Sequence, residues 1–244
     1  MRIDISNIPL AEVFEPAQGA DGGAGAASGC PLCRLRDRLE KRVVSYIVGP
    51  AMMEPDVRQQ TNALGFCHRH YGDLIKEGSR LSVALMLQSH LDEIDKCGLA
   101  ISPKGETQGA GMRAAVRSKK DTENSPRDSC FVCTQVDAAF QRLLINLCVT
   151  WERDEAFREL FKTQPMLCLP HFRALARAAA IHGRRSGREL TRTAAALCRG
   201  ELERLQTDIG RFCRSFDYRS TGESGEVPRD AIERSVRWLT GREV

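Results

Sequence analysis

The sequence predicts an all-α protein of two related four-helix units, each closed by three cysteines and one histidine. Three observations carry this expectation. Apolar residues recur at steps of three and four along most of the chain. Alternation with β-branched residues is confined to one short strand expected at Arg2–Ser6. Two Cys-x-x-Cys pairs lie 100 residues apart, and each is answered downstream by Cys-x-x-His.

Residues 1–29 form an N-terminal extension. Ala17–Gly29 is so rich in Gly and Ala that it offers too little apolar surface to offset ordering entropy. The first repeat, 30–101, opens with Cys30-Pro-Leu-Cys33, and Leu32, Leu35, Leu39, Val43 and Tyr46 then form one apolar helical stripe. Gly49-Pro50 ends that helix, because proline has no N–H to donate and disfavours helix in the residue before it. A short helix follows near Glu54–Asn62, and a third begins at Cys67-His-Arg-His70. The fourth, Arg80–Lys96, carries Ala84, Leu87, Leu91 and Ile94. Residues 102–129 are polar, contain two prolines and read as a linker.

The second repeat, 130–244, restates the pattern. Cys130-Phe-Val-Cys133 opens a stripe of Val132, Val136, Phe140, Leu144, Leu147 and Trp151. A short helix over Asp154–Lys162 leads to Cys168-Leu-Pro-His171, and a long helix runs from Gly187 to Arg214. A last helix near Arg229–Leu239 is docked by Trp238. There are 33 residues between Cys33 and Cys67 and 34 between Cys133 and Cys168. With that single inserted residue, Val57-Arg58 aligns with Phe157-Arg158, Tyr71 with Phe172 and Leu74 with Leu175, the signature of an internal duplication.

Cysteines just ahead of a helix and a Cys-x-x-His on a helix's first turn each direct two donors at one point. Local pairing predicts one set of Cys30, Cys33, Cys67 and His70, and a second of Cys130, Cys133, Cys168 and His171. Three thiolates and one imidazole form a closed four-coordinate set for structural zinc, so two zinc ions are expected. Iron–sulfur clusters are the alternative, although they more often take four cysteines. His70 rather than His68 is the expected ligand. His68 aligns with Leu169, and a helix turns it about 100° away from Cys67. Four donors leave no open position for a catalytic water. A thioredoxin-like role would need strands around the Cys-x-x-Cys. Cys148 and Cys198 sit on apolar faces as small buried hydrophobes, and Cys97 and Cys213 lie near helix ends.

The remaining features exclude other classes. The chain has 244 residues and a formal net charge of +4, which gives little reason to expect nucleic acid. No apolar run reaches the ~18 residues needed to span a membrane, and the N-terminus lacks a signal-peptide core, so a cytoplasmic protein is expected. Acidic residues at Glu54/Asp56 and Glu152–Glu159 suit helix first turns. Arg58 and Arg158 occupy equivalent places and read as structural. Arg34, Arg36, Arg38, Lys41 and Arg42 flank the first stripe as a solvated face, and His182–Arg188 is a denser basic turn. Neither a phosphate loop nor a nucleophile elbow nor an HExxH motif is present.

Cys30-Pro-Leu-Cys33-Arg, Pro55-Asp-Val-Arg58, Gly65-Phe-Cys-His-Arg-His70 and Phe216-Asp-Tyr-Arg219 together resemble an uncharacterised prokaryotic family, a domain of unknown function. Its members are helical proteins with duplicated Cys-x-x-Cys and Gly-Phe-Cys-x-x-His motifs. The resemblance covers residues 30–240 and implies the eight ligand positions named above. The second copy departs from it with Met166-Leu167 for Gly65-Phe66 and Pro170 for Arg69. The expected function is a non-catalytic, zinc-stabilised scaffold or adaptor for a protein partner. The alternative is a redox or metal-handling protein carrying iron–sulfur or exchangeable metal, an accessory to an anaerobic enzyme.

Overall fold

The computed structural model describes residues 10–14, 29–78, 80–97, 130–216 and 228–242, and every regular element among them is a helix. The expected strand at Arg2–Ser6, the Gly/Ala-rich stretch before Gly29 and the 102–129 linker lie outside the described residues. The helices are α1 (Leu10–Phe14), α2 (Pro31–Val48), α3 (Pro55–Leu64), α4 (His68–Glu77), α5 (Arg80–Cys97), α6 (Phe131–Arg153), α7 (Glu155–Lys162), α8 (Leu169–His182), α9 (Gly187–Arg214) and α10 (Ala231–Thr240). Gly49 does end α2, and a 3-10 turn over Pro50–Met53 leads into α3. Neither that turn nor α1 carries enough periodicity to be read from sequence.

The chain divides into two units, and the boundary falls inside α2 and α6. One unit is Arg38–Ala139; the other joins Ser6–Asp37 to Phe140–Val244. The first turns of α2 therefore belong with the C-terminal helices, and the first turns of α6 with α3, α4 and α5.

In the Arg38–Ala139 unit, Leu39, Val43 and Ile47 of α2 are fully buried, as are Leu74 of α4 and Val132 of α6. α5 packs on α3, and its Val83 and Met86 are buried, while Leu91 and Ile94 of its expected stripe face outward. Arg58 is structural, as anticipated. Its guanidinium donates to the Leu85 carbonyl at 3.1 Å and to the Ser89 hydroxyl, tying α3 to α5.

The second unit has an aromatic core. Phe14 of α1 meets Phe157 edge-on at 5.2 Å and stacks on Phe161 at 5.5 Å, and Trp151 meets Phe161 at 5.4 Å. α8 packs on α9, and α10 on both. Trp238 docks α10 as expected, its indole N–H donating to the Leu167 carbonyl at 3.0 Å. Asp154 caps α7 by accepting the Phe157 amide at 3.1 Å.

The basic run on α2 is not simply a solvated face. The Arg34 guanidinium donates to the carbonyls of Gly29 at 2.8 Å and Val13 at 2.9 Å, and to Gln164 Oε1 at 3.3 Å. Arg36 lies over the Phe140 ring at 5.7 Å. Alternating charge on a helix shows which residues avoid the apolar stripe; it does not show which of them find carbonyls or rings on a neighbouring element.

Candidate metal centres

Each centre is made by two helix N-termini. Cys30 and Cys33 bracket the start of α2, Cys130 and Cys133 the start of α6, and Cys67 and Cys168 are the residues preceding α4 and α8. His70 and His171 sit on the first turns of α4 and α8, three residues beyond those cysteines, where both donors of a pair share a helix face.

The four-donor sets differ from the local pairing expected from sequence. Cys30 and Cys33 gather with Cys168 and His171, whereas Cys130 and Cys133 gather with Cys67 and His70; within each set the donor atoms all lie within 4.8 Å of one another. The cysteine pairs are exchanged. His70 meets α2 at Glu40, about two turns beyond Cys33. On α6 likewise, after the eight-residue α7, His171 meets Phe140, seven residues beyond Cys133.

Backbone geometry secures the exchange. Gly65 has φ +60°, and a Cβ there would fall 2.6 Å from His90 Nε2, so only glycine fits the turn. Its carbonyl accepts the Phe131 amide at 3.0 Å, which joins the strandless Gly65-Phe66-Cys67 connection to the first turn of α6. That bond brings Cys67 beside Cys130. At the other centre the end of α10 takes part. Gly241, at φ +68°, caps α10, and its carbonyl accepts the Cys33 thiol at 3.6 Å.

The distances suit a metal. Around His70 Nδ1, the sulfurs of Cys67 and Cys130 lie at 3.2 Å and that of Cys133 at 3.5 Å. Around His171 Nδ1, the sulfurs of Cys33 and Cys168 lie at 3.2 Å and that of Cys30 at 3.8 Å, and Cys33 to Cys168 is 3.6 Å. A tetrahedral zinc with Zn–S of about 2.3 Å sets sulfur–nitrogen separations near ~3.6 Å and sulfur–sulfur separations near ~3.8 Å. All the cysteines with described side chains are free thiols, and His68 is exposed, away from the donors.

The thiols are divided in their acidity. Burial pushes Cys130 up, but hydrogen bonds from His70 and from backbone amides outweigh it and bring the group down to about 6. Burial and the Cys130 charge push Cys133 up to about 12. Burial opposes the charged form of His70, yet its bonds to Cys130 and Glu40 raise it to about 10. At the other centre, burial of Cys30 is overcome by hydrogen bonds from Cys168, Cys33 and His171, so it falls well below the ordinary thiol range. Cys33 is raised by its bonds to Cys168 and Cys30, and Cys168 by its bond to Cys30. Each cluster thus sets a readily formed thiolate, Cys130 or Cys30, beside a thiol that resists ionisation, Cys133 or Cys33, a state that a divalent cation would relieve.

A family of unknown function, DUF6062, matches residues 1–244. The chain belongs to DUF6062. No curated protein and no solved structure matched this DUF6062 chain. Its two Cys3His groups could hold metal ions, which accords with the metal-binding motifs expected from sequence. No described helix is long and apolar enough to cross a membrane.

Sequence reasoning missed Glu40 and Gly241, and it placed Phe140 on an apolar stripe without its contact with His171. Glu40 did leave a signal. It aligns with Phe140 100 residues on, so a carboxylate stands where the other long helix has a core aromatic. Gly241 left none, because nothing before folding ties a C-terminal glycine to Cys33.

Proposed function

We propose that the chain is a zinc-stabilised helical scaffold that presents helix surfaces to a protein partner. The observation that carries this reading is the closure of both donor sets. Four good ligands converge in each, and three thiolates with one imidazole match the softness and coordination number of structural zinc. Zinc at these positions links α2 to α8 and α6 to α4, so its binding free energy contributes directly to folding. Outward-facing apolar residues on α5 (Leu81, Leu91) and on α10 (Ile232, Leu239) supply surface that a protein partner could cover.

Elemental analysis of protein purified without oxygen or chelator tests the reading. The expected result is a colourless preparation with about two zinc per chain, whose melting temperature falls when a chelator removes the metal. Absorbance near ~400 nm with stoichiometric iron and sulfide would instead indicate clusters and overturn it.

A further inference from the structure

We infer that Glu40, held by Arg69, is the positioning residue that fixes His70 as an Nδ1 metal ligand. It gives the Cys67/His70/Cys130/Cys133 centre a carboxylate–imidazole–metal relay at the place where the other centre has an aromatic ring. The inference rests on the reading that this centre holds a divalent metal.

A neutral imidazole has one N–H and one lone pair, and the neighbours of the two nitrogens decide which is which. His70 Nε2 lies 2.5 Å from Glu40 Oε1, and a carboxylate can only accept, so Nε2 carries the proton. Nδ1 faces three sulfurs at 3.2–3.5 Å, so it is the nitrogen that would give its lone pair to a metal, releasing its own proton as the ion binds. The other carboxylate oxygen, Oε2, accepts from the Arg69 guanidinium. His70 is 2% exposed and the Glu40 side chain 12%, so neither group has water as an easy substitute partner.

Two differences between the repeats coincide here. Glu40 aligns with Phe140, and Arg69 with Pro170. Arg69 and Glu40 are partners in space, so a pair of changes 29 residues apart in sequence is one feature of one centre. At the other centre His171 meets the Phe140 ring at 5.1 Å, with Arg36 over that ring. A carboxylate behind the imidazole makes it a stronger donor and locks its orientation; an aromatic ring can only pack against it.

The test uses full-length protein loaded with cadmium-113, whose spectrum should show one resonance per centre, assigned with Cys133→Ser and Cys33→Ser. Glu40→Gln keeps shape and hydrogen bonding but removes the charge, and Glu40→Leu removes the acceptor. In both, the Cys133 resonance should shift while the Cys33 resonance stays. The metal dissociation constant of that centre should rise, about tenfold for Gln and towards a hundredfold for Leu. Nitrogen-15 correlations of His70 should show the proton on Nε2 in the unsubstituted protein, a readout that simple packing would not require. If Glu40→Leu does not fold, Glu40→Gln decides alone. Unchanged cadmium shifts with affinity within about twofold would overturn the inference, as would metal bound through Nε2. Failure of the unsubstituted chain to take up any cadmium would overturn the metal reading first, and Glu40's role with it.

Discussion

The two centres use the same four donor types in the same helical positions, yet their surroundings diverge. One imidazole is backed by a carboxylate, the other by a phenyl ring. One cluster is reached through a glycine turn whose carbonyl takes an amide from α6; the other is approached by the cap of α10. The donor types are thus the same in both centres, while the groups around them differ. The comparison also shows that a long helix serves both centres. α2 supplies Cys33 to one and Glu40 to the other, and α6 supplies Cys133 and Phe140 in the reverse sense.

The largest effect that would break this comparison is metal removal. If both centres hold metal, stripping it should cost several kcal/mol of stability and broaden the unfolding transition, because the joints between α2 and α8 and between α4 and α6 would be lost. Calorimetry with and without chelator measures it, and an unchanged transition would mean that the cysteines are ordinary core residues.

A change at the turn should separate the centres. Gly65→Ala places a Cβ 2.6 Å from His90 at φ +60°, so it should destabilise by at least about 1–2 kcal/mol and loosen the metal beside Cys67 alone. Denaturant titration with metal analysis checks both parts. Met166, aligned with Gly65, should by contrast tolerate Leu.

Acidity predicts a pH dependence. With Cys133 raised to about 12, the thiol is protonated at neutral pH and must lose its proton to bind metal. Uptake therefore releases protons, and apparent affinity rises with pH. Titration in two buffers of different ionisation enthalpy measures the release; no buffer dependence would contradict the assignment.

The smallest effect is at Arg69. Its side chain is about half exposed, so Arg69→Ala should cost no more than ~1 kcal/mol of stability. Its influence should appear only at the His70 centre.

Much of the fold was legible in the sequence because its helices are amphipathic and well punctuated. The long helix from Gly187 to Arg214 and the starts of α4 and α8 follow directly from periodicity and from Cys-x-x-His. Periodicity misled at α5, which is apolar on two faces; Val83 and Met86 are buried, whereas Leu91 and Ile94 are not. The donor residues were readable from spacing, but their grouping was not. Spacing along the chain favours the nearest partner, whereas the grouping depends on which helix N-termini the fold brings together. Glu40 was hidden for a related reason: its significance depends on which histidine lies opposite, which no local pattern records.

The exchange of cysteine pairs is tested most directly by counting metal in two double variants. Cys33→Ser with Cys168→Ser damages one centre and should leave about one ion per chain, whereas Cys33→Ser with Cys67→Ser damages both and should leave none. The opposite pattern, one ion retained by the Cys33/Cys67 variant and none by the Cys33/Cys168 variant, would show that each pair closes on its own neighbour and would contradict the exchanged arrangement.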